Sequence, residues 1–229
     1  MTSDLQKLDN PVWHSLSETH KVLSIDYGSA MFYDPSYCPF GAFTKEEGLI
    51  DAVDKYSTFA GDFFIVGKKP EFPQKLSLKK ELVCLQMVCE ERIDICISES
   101  IIPLNSKTGA DAFFNLVNKV QPGYIRNNTI HLGDYFGIYK DEVLVAATGE
   151  RMKMEGLTEV SAVVTHPDHT GKGFAKQLVA YTVNKIFREN KIPFLHVAES
   201  NVPAITLYEK MGFGTRRKIS FWNLVRTVE

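Results

Sequence analysis

Cysteine is scarce in this 229-residue chain: Cys38, Cys84, Cys89 and Cys96 are the whole supply. None stands in a Cys-x-x-Cys pair and no histidine cluster completes a metal spacing, so neither a disulfide framework nor a zinc site is expected. Cys84, Cys89 and Cys96 lie in apolar segments and read as small core residues. Long apolar runs are also missing. Nothing approaches the ~20 residues of a membrane span, and the opening MTSDLQKLDNPVW is polar where a signal peptide needs an apolar stretch. A reducing cytoplasm is the expected setting, and Asn127-Asn128-Thr129 then reads as a polar loop. Neither sign of charge dominates, with 26 basic against 28 acidic residues and a net charge of −2. That excludes nucleic-acid binding by bulk charge. Neither nucleic acid nor membrane is an expected partner.

What is present is ordinary globular composition, 44% hydrophobic and 24% charged. The length allows one large domain or two small ones. The informative stretch is Glu159 to Ala175, EVSAVVTHPDHTGKGFA. An apolar strand runs into a proline corner, then a Gly-x-Gly turn, then a helix from about Gly173. Gly171 and Gly173 remove side chains where backbone must approach something bulky. The first N–H groups of the helix have no partner within it, and with the helix dipole they suit a pyrophosphate. An ordinary strand–turn–helix connection has the same local pattern. The segment lacks the Gly-Lys-Ser/Thr of a P-loop and the third glycine of a dinucleotide fingerprint.

HPDHTGKGFA resembles the acyl-CoA loop of the GNAT N-acetyltransferase superfamily, Arg/Gln-x-x-Gly-x-Gly/Ala, with Thr170, Gly173 and Ala175 in the motif's places. PFLHVAESNVPAITLYEKMGF, Pro193 to Phe213, is similar to the strand, the Asn-x-x-Ala-x-x-Leu-Tyr helix and the Gly-Phe turn of the second family motif. The match is closest to the branch that includes glycine N-acyltransferase-like proteins. Thr170 departs from the family's Arg or Gln and removes a long donor, though threonine can cap a helix. The resemblance implies a mixed α+β fold, a mainly antiparallel twisted sheet flanked by helices. A smaller, degenerate α/β half, residues 1–92, would precede a catalytic half, residues 93–229.

Pro11 stands near a helix start, Ala30 to Tyr33 reads as a short strand, and Thr44 to Tyr56 reads as a helix with Thr44 as cap and Glu47 in a capping box. Phe63 to Val66 and Leu82 to Val88 read as strands, separated by a basic surface excursion from Lys68 to Lys80. Ile93, Ile95 and Ile97 alternate as in a half-buried strand, and Gly109 to Val120 reads as a helix. His131 to Tyr139 and Val143 to Met152 form an antiparallel pair about the turn Lys140-Asp141-Glu142. In the strand Glu159 to Thr165, Val160, Ala162 and Val164 share one face. A long helix runs from Gly173 to Asn190, then a strand at Phe194 to Ala198 and a helix at Val202 to Met211. A last strand, about Arg217 to Val225, closes the sheet. No internal repeat shows at residue level.

An amine attacking a thioester needs an oriented acyl-CoA, a proton sink, oxyanion donors and an acid for the departing thiolate. The expected co-substrate is acetyl-CoA, the expected acceptor a primary amine of a small molecule, with a possible homodimer. The resemblance assigns the pyrophosphate to the backbone of Gly171, Lys172, Gly173, Phe174 and Ala175, beside Thr170. It assigns the pantetheine arm to Val163, Val164 and Thr165 as an added strand, and to Asn201, which otherwise reads as a helix cap. The N–H of Val163 or Val164 would hold the oxyanion, and Lys172 and Lys176 stand near the phosphates. Glu159 is the candidate base, with Glu150 and Glu155 as competitors, and Tyr208 the candidate acid. His166 and His169 read as structural, and His196 as a satisfied core histidine or a weaker proton acceptor. Tyr124, Arg126, Tyr135 and Phe136 are candidates for the acceptor pocket. Two alternatives stand beside this: an acyl-CoA-binding regulatory module without turnover, and a protein N-acetyltransferase.

Overall fold

Period-two and period-3.6 apolar patterns alternate along the chain, and the structure, a computed structural model that describes residues 4–227, turns them into one curled sheet with helices on its faces. The strands are β1 (Ser24–Asp26), β2 (Ala30–Tyr33), β3 (Phe40–Phe43), β4 (Asp62–Val66), β5 (Leu76–Cys89), β6 (Ile102–Pro103), β7 (Tyr135–Lys140), β8 (Val143–Met154), β9 (Leu157–Thr165), β10 (Ile192–Ala198) and β11 (Phe213–Arg226). The α-helices are α1 (Pro11–Ser17), α2 (Leu49–Ser57), α3 (Lys107–Val120), α4 (Phe174–Arg188) and α5 (Val202–Lys210). The strand order is β1-β2-β3-β4-β11-β5-β10-β9-β8-β7-β6. Every neighbouring pair is antiparallel except β3 with β4 and β9 with β10. The mixed, mainly antiparallel α+β fold expected from the resemblance is the fold observed.

The order contains a repeat that residue identities conceal. In β7-β8-β9 an antiparallel meander leads through α4 into β10, parallel to β9; in β1-β2-β3 a shorter meander leads through α2 into β4, parallel to β3. Each crossover helix starts after a left-handed glycine, Gly48 at φ 74° and Gly173 at φ 77°. The two halves then exchange strands. β5 from the first half pairs with β10, β11 from the second pairs with β4, and β5 and β11 pair with each other. One hydrogen-bonded sheet therefore crosses residues 92 and 93. The last strand lies inside the sheet, between β4 and β5.

Packing follows the apolar stripes. Leu178, Val179, Val183 and Ile186 of α4 are fully buried against the sheet, each contributing on the order of 2 kcal/mol. Phe113, Leu116 and Val117 of α3 cover the opposite face beside Val164. Leu8, Val12 and Leu16 cover the seam between the halves against Phe40, Phe194 and Phe221.

Local expectations change in several places. The alternating Ile93 to Ser98 segment is not a strand. Its polar backbone groups are taken by α4: Ile93 N–H donates to Asn184 Oδ1, Asn184 Nδ2 donates to Ile93 O, and Ser98 N–H donates to Gln177 Oε1. Cys96, on this segment, is exposed where a core position was expected. Thr44 and Glu47 form no capping box, because α2 starts five residues after Thr44, behind Gly48, without a side-chain cap. β5 begins at Leu76, inside the expected surface excursion. Val160, Ala162 and Val164 do not share a face. Ala162 adopts φ 52°, and the register of β9 on β8 shifts there. Val160 and Val163 consequently face α4 and α5, while Ala162 and Val164 face α3.

Candidate active site

β9 and β10 hold together only where Leu157, Thr158 and Glu159 meet Ile192, Pro193 and Phe194. Beyond Glu159 they diverge, and a cavity of about 760 Å³ opens between them. His166 N–H donates to Val145 O at 2.7 Å, and Val164 pairs with Ala147. Strand alternation then turns the N–H groups of Val164 and His166 toward β8 and those of Val163 and Thr165 toward the cleft. Val163 lines the cavity, whereas Val164 is buried. Of the two expected oxyanion donors, Val163 is the one whose N–H faces the opening.

The Gly-x-Gly turn leads into Ala175, which lines this cavity. Gly171 and Gly173 have φ 76° and 77°, and a Cβ at either would meet nothing within 4 Å. Gly171, Lys172 and Gly173 are exposed. Helix α4 has no side-chain cap, so the N–H groups of Phe174, Ala175 and Lys176 stand unpaired within the helix. Open backbone donors and clear space suit a bulky anion. Thr170 does not cap α4: its hydroxyl donates to Pro167 O at 3.1 Å, and Gly173 holds the cap position. Lys172 reaches His169 Nδ1 at 3.3 Å and Lys119 reaches His166 Nε2 at 2.7 Å. Lys140 lies 5.4 Å above the Phe174 ring. Lys119 and Lys140 come from α3 and β7, far from the motif in sequence, and only the fold brings them there.

Asn201 and Tyr208 both line the cavity. Asn201 Oδ1 accepts from Ala204 N–H at 3.3 Å, which caps α5 and leaves the amide nitrogen for another acceptor. Burial alone pushes the Tyr208 phenol up to about 12. The hydroxyl therefore stays protonated at neutral pH and can act as a donor.

Glu159, the candidate base, is sealed off from the cavity. It is wholly buried and does not line the cavity. Arg151 Nε and Nη2 donate to its two oxygens at 2.8 and 2.7 Å, Met152 N–H donates at 3.3 Å, and His196 Nδ1 lies 2.9 Å away. Burial would raise the carboxyl, but the Arg151 charge and the bonds from Arg151 and His196 outweigh it and bring it down to about 2. A carboxylate so satisfied is a weak proton acceptor. His196 has its Nε2 3.1 Å from Gln86 Nε2, whose amide also donates to Leu8 O. Gln86 as donor leaves His196 Nδ1 as the protonated nitrogen, bonded to Glu159. Arg216 donates to Gln86 Oε1 at 3.0 Å and to Asp9 at 2.8 Å. Gln86 of the exchanged strand β5 thus links His196, which lines the cavity, to the Arg216–Asp9 pair at the surface.

Glu150 and Glu155 do not line the cavity. Glu150 is buried between Lys153 and Lys185, at 2.6 and 2.7 Å; Glu155 is exposed beside Lys7. Asp134, Glu150 and Glu189 cluster closely enough for a cation, but the Lys185 ammonium already pairs with all three.

The far end of the cavity belongs to both halves. Phe40 and Phe64 come from β3 and β4, Phe221 from β11, and Tyr124 and Arg126 from the loop after α3. Tyr124 and Arg126 were expected there. Tyr135 and Phe136 were also candidates, but they face inward from β7, 3% and 6% exposed, with Tyr135 packed on Phe113. The contribution of β3, β4 and β11 was missed because no local motif marks it; it follows from the strand exchange.

Solved structures of GNAT-family proteins share this mixed, mainly antiparallel fold. The model of the family described as FR47-like protein matches residues 135–222, which run from β7 into β11. A crystal structure of a GNAT-family protein from Novosphingobium aromaticivorans is 28% identical, covering 96% of this chain and 99% of that one, with a TM-score of 0.85. A GCN5-related N-acetyltransferase from Kribbella flavida is 13% identical, with 96% of each chain covered and a TM-score of 0.64. A GCN5-related N-acetyltransferase-like protein from Streptococcus suis is 12% identical over 96% of this chain and 97% of that one, at 0.60. No curated protein matches the sequence.

Proposed function

We propose that this protein is an N-acetyltransferase that moves an acetyl group from acetyl-CoA to a primary amine of a small molecule, by direct attack in a ternary complex. One observation carries the reading. A single cavity is lined by Ala175, which follows the phosphate turn, by Asn201 and Tyr208, by Val163 on the open edge of β9, and by an aromatic group of Phe40, Phe64 and Phe221. Two reactants can therefore meet midway without bulk water between them. The similarity to GNAT-family structures supports the same chemistry.

In this reading the N–H groups from Gly171 to Ala175 hold the pyrophosphate, with Thr170 framing the turn and Lys172 beside it. The edge of β9 at Val163 and Thr165 takes the pantetheine amides as an added strand, joined by Asn201. The amine attacks the thioester carbonyl, Val163 N–H stabilises the oxyanion, and Tyr208 gives a proton to the leaving sulfur. Glu159 acts as a positioning residue that holds Arg151 and His196, and the amine proton leaves through the open end of the cavity. Residues 1–92 serve as a degenerate first unit whose crossover turn carries Glu46 and Glu47 where the second unit has Gly171 and Lys172. Acidic side chains there repel phosphate, so one acetyl-CoA site per chain is expected.

Mass-spectrometric detection of an N-acetylated amine after incubation with acetyl-CoA and an amine panel tests the reading. The locked Glu159 carboxylate favours one other: an acyl-CoA-binding module without turnover. It predicts acetyl-CoA binding and no acetylated product.

A further inference from the structure

The charge balance of the acceptor end is uneven. Among the described residues lining the cavity, the charged ones are Asp62, Lys79, Lys80, Arg126 and Arg151. Arg151 is neutralised by Glu159. Asp62, the one carboxylate on this lining, is engaged by Lys79 at 3.2 Å and by Asn223 Nδ2 at 2.6 Å. Lys80 lies against the Phe64 ring, 5.9 Å from its centre. Arg126 bonds only to backbone through its side chain, Nη1 donating to Gly123 O at 3.0 Å. Two cations are thus left without a carboxylate, and no free anion faces them.

The backbone that carries Arg126 is also held in place before any ligand arrives. Its backbone N–H donates to Thr129 Oγ1 at 2.8 Å, and that hydroxyl donates to Tyr37 O at 2.7 Å. Asn128 on the same loop bonds Ser36 through its backbone and its side chain. A loop of the second half is pinned to the first, which lowers the ordering cost of presenting the guanidinium. A planar guanidinium with free N–H groups matches a carboxylate, and Phe40, Phe64, Phe221 and Tyr124 suit an apolar body.

Resting on the transferase reading above, we propose that the acceptor is an amine bearing a carboxylate and an apolar side chain, and that Arg126 is the residue that selects it. The carboxylate pairs with Arg126, Lys80 adds attraction at the mouth, and the apolar group lies among the phenylalanines. Polycationic amines are excluded by the same balance, since they need free carboxylates that this lining lacks.

The test compares phenylalanine, phenethylamine and spermidine by thiol release from acetyl-CoA, each rate corrected for its free-amine fraction. The wild type is expected to prefer phenylalanine over phenethylamine at least tenfold in kcat/KM, with spermidine poorest. In Arg126→Leu that ratio collapses toward one, chiefly through KM for phenylalanine; Arg126→Lys gives an intermediate ratio. Preference for phenethylamine or spermidine, or an equal loss on all three amines in Arg126→Leu, overturns the proposal. If no amine supports release, the transferase reading fails, and calorimetry with N-acetylphenylalanine and N-acetylphenethylamine decides the anion site by itself. Binding of the carboxylate compound alone, lost in Arg126→Leu, supports it; equal binding of both, or binding of neither, overturns it.

Discussion

Arg151 and Glu159 face each other across β8 and β9 in a two-pronged ion pair at 2.7 and 2.8 Å, with side chains 14% and 1% exposed. Arg151 reaches the cavity and Glu159 does not. The pair fixes one wall of the cavity, and the Arg151 guanidinium lies 4.7 Å above the Phe40 ring, which ties that wall to the first half. Removing one partner leaves a buried charge unpaired. Arg151→Met should cost about 3–5 kcal/mol of stability, read from urea unfolding. The double variant Arg151→Met/Glu159→Gln should recover most of it. A double variant as unstable as the single one would show that shape, rather than charge, holds the wall.

Tyr208→Phe removes a hydroxyl that burial keeps protonated. Its kcat should fall roughly 10²-fold, the scale of general acid catalysis, with KM for acetyl-CoA nearly unchanged. Unaltered turnover would remove Tyr208 from the chemistry.

Gly171 has clear space where a Cβ would stand, and aspartate tolerates a left-handed backbone better than most residues. Gly171→Asp should therefore fold, with a thermal midpoint lowered modestly by the left-handed backbone. The added carboxylate should weaken acetyl-CoA binding at least tenfold by calorimetry. Undiminished affinity would place the pyrophosphate elsewhere.

His20 gives the protein a pH dependence away from the cavity. It is 5% exposed, with Nε2 against Leu132 O at 2.9 Å and Nδ1 against Tyr33 Oη at 2.9 Å and Ser15 Oγ at 3.2 Å. Burial, with the charges of Lys153 and Lys191, brings it down to about 4. Below pH ~6.5 the unfolded chain binds a proton that the folded one refuses. Stability should hold above that pH and fall as pH drops toward 4, by about 1.4 kcal/mol per unit. Between pH 7 and 5 the loss is expected near 2 kcal/mol, and His20→Gln should flatten it. A wild-type profile already flat in this window would contradict the assignment.

The second half was legible because its signals are local. Gly171 and Gly173, the Leu178–Val183–Ile186 stripe, the Asp141-Glu142 turn and the Gly212 helix exit each act within a few residues, and the structure shows α4, the β7–β8 hairpin and α5 where they point. The rest depends on partners distant in sequence. Nothing near Gln86 says that it will bond His196, 110 residues on. Nothing near Phe221 says that β11 will lie between β4 and β5. The alternation of Ile93, Ile95 and Ile97 was misleading because Asn184 and Gln177, on another element, take the backbone groups a strand would have paired. Glu159 was found by its place in the motif, but its charge state follows from Arg151 on the neighbouring strand.

The measurement that tests the central claim most directly is thiol release from acetyl-CoA by the full chain, with and without a panel of amines and amino acids, alongside calorimetric binding of acetyl-CoA. The proposed transferase should bind acetyl-CoA and release thiol only when a suitable amine is present, with Tyr208→Phe binding normally and releasing slowly. Binding without amine-dependent release across the panel would contradict transfer to a small amine and favour a module that only holds acyl-CoA. Absence of binding would contradict the assignment of Gly171 to Ala175, on which the rest depends.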